Sequence, residues 1–116
     1  MNESEAMARH RLVELVQAML NGAESFFEGA VQVLALKNQV GGIADRDADF
    51  DVFVAIVSES NHLPLKQQHS LWSPEELKRL EPEFNRTEEW ASSFAPAACK
   101  SLIARFKGNE TEESNP

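Results

Sequence analysis

The sequence predicts an all-α protein: a single-domain helical bundle of four to six helical segments, opening with an antiparallel hairpin. Three observations lead there. Apolar residues recur at three- and four-residue spacing along most of the 116 residues. Capping side chains followed by acids precede four of these stretches. Asn-Gly, Gly-Gly and proline-containing turns punctuate the gaps.

In the first element, Asn2 with Glu5, or Ser4 just after, caps a helix whose stripe is Leu12, Leu15, Val16, Met19 and Leu20. Asn21-Gly22 ends it, because both residues tolerate the left-handed conformation at a helix terminus. Ser25 opens the second helix, with Glu28 placed to reach back to the cap as in a capping box. Phe27, Ala30, Val31 and Leu34 line one face and Gly41-Gly42 stops it. The short link between two long helices predicts the hairpin.

The third element, FDVFVAIVSES, is rich in Val and Ile, which alone favours a strand. Phe50, Phe53, Val54 and Val57 nevertheless keep helical spacing behind a run of aspartates, so a helix over about 49–60 is expected. Pro64 marks a turn, and LKQQHSLW reads as a short helical turn. Ser73-Pro74-Glu75-Glu76 is the strongest start signal in the chain. Pro82 is expected to restart or kink that helix. Trp90, Phe94, Ala98, Leu102 and Phe106 then follow at intervals of four; Pro96 is expected to bend that segment rather than end it, with a split in two as the alternative, and Gly108 to close it. The organisation expected is one domain over 1–106 and a flexible acidic tail over 107–116.

Net charge is −8, from 19 acidic and 11 basic residues. Unaided nucleic-acid binding needs Lys and Arg to displace phosphate counterions, so direct contact with nucleic acid is not expected. Residues 45–62 alone carry five acids against one arginine. One cysteine, Cys99, excludes an internal disulfide and suits a reducing compartment. MNESEAMARH lacks the pattern of a signal peptide, and the longest apolar run, VFVAIV, is far short of a membrane span. A cytoplasmic protein without membrane contact is expected.

Candidate chemistry concentrates in DRDADFD, where Asp45, Asp47, Asp49 and Asp51 stand at every second position. A calcium loop of the helix-loop-helix type needs glycine at its sixth position and glutamate at its twelfth. Counting from Asp45 places Phe50 and Ile56 there; counting from Asp47 places Val52 and Ser58. The remaining readings are helix capping by one or two of the acids, and a negative face for a basic partner. Four acids within seven residues repel one another unless a cation offsets them. Glu59, His62 and His69 fit no metal-binding pattern, and no cofactor is implied. Cys99 lies on an apolar helix face, no nucleotide-binding or nucleophile motif occurs, and enzyme activity is not expected. Trp72 and Trp90 each fit an apolar stripe and read first as core; Trp72, beside a loop, alternatively reads as an interface anchor.

FVAIVSESNHLPL, followed by a tryptophan and the charged SPEELKRLEPE helix, resembles a family of small bacterial helical domains. Most are of unknown function, and some are regarded as immunity proteins encoded beside polymorphic or secretion-delivered toxins. The similarity spans about residues 10–106 and rests on Glu59, His62, Pro64 and Trp72. The family pattern favours an acidic residue where Val57 stands. The resemblance implies a protein that binds a cognate toxin. Such an acidic domain would be steered toward a basic cleft and would occlude it. Asp45, Asp47, Asp49, Asp51, Glu59, His62 and Trp72 are the expected contact residues. The alternatives are a homodimeric or otherwise oligomeric adaptor using the apolar face of helix two, and a ligand-binding domain with Glu59, His62 and Trp72 around one pocket.

Overall fold

The structure, a computed structural model, describes residues 2–114, with side chains through Lys107. Among the described residues five α-helices form in chain order: α1 (Glu3–Leu20), α2 (Phe26–Val40), α3 (Ala48–Ser60), α4 (Pro74–Ser92) and α5 (Ala95–Ser114). A six-residue 3-10 segment, Lys66–Leu71, links α3 to α4. The described residues contain no strand, so the Val/Ile-rich third element is helical, as its spacing required.

The capping residues act largely as their sequence context predicts. Asn2 and Glu5 form the reciprocal capping box of α1. Ser25 Oγ accepts from Glu28 N at 3.0 Å, and Ser73 Oγ accepts from Glu76 N at 3.1 Å. One half of the expected box on α2 is absent. Glu28 does not reach back to Ser25; its Oε2 accepts from Lys66 N at 2.9 Å, and Glu24 takes the Ser25 N–H.

α1 and α2 pack antiparallel. The start of α2 meets the end of α1, where a Cβ on Gly29 would lie 2.5 Å from Met19 Sδ. At the other end Arg9 of α1 donates to Val40 O at 2.8 Å and Gly41 O at 3.4 Å, satisfying the last carbonyls of α2. Gly41 and Gly42, at φ 75° and 70°, then turn the chain into α3. α5 lies against both α1 and α3, and these four helices enclose Leu12, Val16, Val33, Phe50, Phe53, Ile56 and Leu102. Burial of this kind contributes about 1.5–3 kcal/mol per large side chain.

α4 is different, because Ala91 is its only buried residue. It leans on the bundle through Phe84, whose ring meets Phe27 edge-on at 5.6 Å. Pro82 lies within α4, and the helix runs on through it to Ser92. Its missing N–H leaves a carbonyl on the exposed side of a helix that water can reach. Pro96 splits rather than bends the final segment. The chain leaves α4 at Ser93, and Pro96 takes the second position of α5, where no helical N–H is needed.

That break resets the phase of the apolar stripe. Ala91, Ala95, Ala98, Cys99, Leu102 and Phe106 face inward, while Trp90 is 40% exposed. The core reading of Trp90 is therefore corrected: its fourfold spacing to Phe94 assumed one continuous helix. α5 also passes Gly108 and runs to Ser114, whereas a stop at Gly108 was expected. The tail expected over 107–116 overlaps these last turns, and its final two residues lie outside those described.

Candidate functional site

The aspartates of DRDADFD do not stand free. Asp47 is the N-cap of α3, its Oδ1 accepting from Asp49 N at 3.0 Å and Phe50 N at 3.3 Å. Arg105 on α5 grips the same carboxylate with both terminal nitrogens, each at 2.9 Å, and reaches Asp49 Oδ2 at 2.9 Å. Ser101 adds a 2.6 Å hydrogen bond to Asp49. The Arg105 guanidinium, foremost among the causes, holds the Asp47 carboxyl below the usual carboxylate range, and the pair raises the Arg105 pKa in turn. Asp51 pairs with the exposed Arg46 at 3.1 Å. Lys37 donates to the backbone carbonyl of Asp45 at 3.3 Å. The cation that this density of acid calls for is thus supplied largely from within the chain. Asp45 and the rim of Asp51 remain toward solvent.

Glu59 and His62 meet elsewhere. Both line a groove of about 340 Å³ between the end of α3 and the C-terminal half of α4, with Glu83, Arg86, Thr87 and Trp90 opposite. Their placement follows from α3 ending at Ser60. Glu59 sits on its last exposed turn and His62 in the turn beyond, while Ser60 between them is buried and donates to Ile56 O at 2.6 Å. His62 Nε2 lies 3.2 Å from Glu83 Oε1. On α4, Glu83, Thr87 and Trp90 share one face at spacings of four and three. Trp90 packs edge-on against Phe94 at 4.8 Å and leaves part of its indole open at the groove.

Trp72 does not join them. It is 36% exposed at the opposite end of α4, beside Leu71 at 83%. The 19 residues of α4 put about 28 Å between the two tryptophans' ends of the helix. The trio Glu59, His62 and Trp72 expected around one pocket is therefore a pair, with Trp90 in the aromatic place. Of the groove residues, Glu83, Arg86 and Thr87 were not singled out from the sequence. Thr87, Arg86 and Glu83 precede Trp90 by three, four and seven residues, a helical relation visible in the sequence, but reading Trp90 as core turned that face inward.

Two further groups have structural work. Glu88 accepts from Phe26 N at 2.7 Å and Phe27 N at 2.9 Å. It satisfies the first N–H groups of α2 from 62 residues away. Glu88 also borders a cavity of about 240 Å³ under α4, walled by Phe27, Phe84 and His69. Cys99 is fully buried, and burial pushes its thiol up to about 11, far from the thiolate that a nucleophile requires.

No helix among the described residues is long and apolar enough to cross a membrane. Among the same residues, no three His, Cys, Asp or Glu side chains converge to hold a metal ion. Comparison with known proteins found no matching family, no matching curated protein and no matching solved structure.

Proposed function

We propose that this chain is a non-enzymatic protein-binding domain that acts as an immunity-type inhibitor, occluding the active cleft of a basic cognate toxin. The observation that carries this reading is Trp90, half open beside two carboxylates in the α3–α4 groove. Tryptophan is enriched at interface cores and among binding anchors relative to the rest of a protein surface, and charged groups suit the rim around such an anchor. The net charge of −8 adds long-range steering toward a basic surface. Contact centres on Glu59, His62, Glu83 and Trp90. Asp45 and Asp51 lie in an outer acidic region, and Trp72 with Leu71 is a second anchor. Asp47 and Asp49 are held by Arg105 and contribute by shaping α3.

The test is affinity capture from the native host at low and moderate salt, with wild type and a Glu59→Gln/Trp90→Ala variant side by side. The expected result is one stoichiometric basic protein, retained by the wild type, weakened by salt and by the double substitution. That protein should be toxic alone and harmless when co-expressed with this chain. Retention of no other protein, with self-association instead, would move the reading to an oligomeric adaptor. One observation favours that second reading, the 83% exposure of Leu71 next to Trp72. The apolar side of α2 that first suggested it is largely used inside the fold, with Phe26, Phe27 and Val33 buried.

A further inference from the structure

We infer that the α3–α4 groove is a receptor for one arginine side chain of the partner. This rests on the protein-binding reading above and supplies the chemistry of its central contact. Glu59 approaches from α3 and Glu83 from α4, so two carboxylates from different elements face one space of about 340 Å³. His62 Nε2 engages Glu83 Oε1 at 3.2 Å, which orients that carboxylate and leaves its second oxygen for another donor. Among the described residues, no side-chain hydrogen bond or ion pair engages the Glu59 carboxylate, while its backbone stays in the last turn of α3. The indole of Trp90, 40% exposed, forms the remaining wall.

Two acids beside an aromatic face suit a cation. A guanidinium suits them better than an ammonium, since it is planar, donates in parallel to a carboxylate and stacks on an indole. The groove also holds a cation of its own, Arg86, which makes no ion pair among the described residues. An incoming arginine is repelled by Arg86, and an incoming carboxylate would be attracted by it. The sign of an Arg86 substitution therefore identifies the ligand class.

The experiment is a titration of the full-length, nitrogen-15-labelled protein with N-acetyl-arginine amide, followed by the two indole N–H signals. Trp90 reports on the groove, and Trp72, at the far end of α4, is the internal reference. The expected result is a saturable shift of the Trp90 signal with Trp72 unmoved, and weaker binding of N-acetyl-lysine amide. Glu59→Gln and Glu83→Gln should each weaken binding about three-fold or more, and Arg86→Ala should strengthen it by a similar factor. Shifts that grow without saturation and alike at both tryptophans would overturn the inference, as would weaker binding in Arg86→Ala. A groove that takes the arginine probe while no toxin is captured refutes the inhibitor reading alone. A captured toxin indifferent to Glu59→Gln and Glu83→Gln refutes the arginine receptor alone.

Discussion

Replacing Arg105 with glutamine should destabilise the fold, because Arg105 offsets the acids at the start of α3. Three hydrogen bonds of 2.9 Å are lost, two of them bidentate on Asp47. Hydrogen bonds to charged groups are worth about 1.5–3 kcal/mol each where water is excluded. Here the guanidinium side chain is 35% exposed, against 13% for Asp47 and 21% for Asp49, so solvent screening discounts that strongly. A loss of about 2 kcal/mol follows, or roughly 8 °C in melting temperature for a domain of this size. Urea denaturation of wild type, Arg105→Gln, Asp47→Asn and the double variant closes a cycle. Asparagine still caps a helix, so the coupling energy, expected at about 1 kcal/mol, isolates the ion pair.

The pH dependence carries the same sign. A carboxyl held below its ordinary 3.8 stabilises the fold fully above that value, and the contribution is lost as pH falls through the lower native value. Arg105→Gln should therefore flatten the acid limb below about pH 4 and leave the slope above pH 5 unchanged. A loss under about 0.5 kcal/mol with no coupling to Asp47 would refute the reasoning and return the aspartates to the status of a solvated face.

Other substitutions probe the remaining contacts. Glu88→Ala should cost about 2–3 kcal/mol by uncapping α2, with Glu88→Gln costing less, both read by chemical denaturation. Phe27→Ala should cost about 3–5 kcal/mol, since its ring is buried against Phe84; a stable product with a changed oligomeric state would instead mark a self-association surface. Gly29→Val should destabilise by about 1–3 kcal/mol because Met19 of α1 occupies the space its side chain needs, measured by thermal melting. Cys99 should resist a thiol reagent at pH 8 in the native protein and react fully in denaturant, as a buried thiol with a raised pKa requires.

What the sequence determined by itself was local. Capping residues, glycine stops and three-to-four spacing act within one or two turns. They located α1, α2 and α3 within a residue or two, resolved the Val/Ile-rich third element as helix and marked where α4 begins. Glu59 and His62 were legible as neighbours for the same reason, lying one turn apart across a helix end. Tertiary structure decided the partners of long polar side chains and the phase of helices across a break. Arg105 reaches Asp47 across 58 residues and Glu88 reaches Phe26 across 62, distances over which no periodicity carries information. The interruption at Ser93 rotated Trp90 out of the stripe that ends in Phe106. A carboxylate's role depends on which donor the fold brings within 3 Å, and an aromatic's on which side of a helix break it stands.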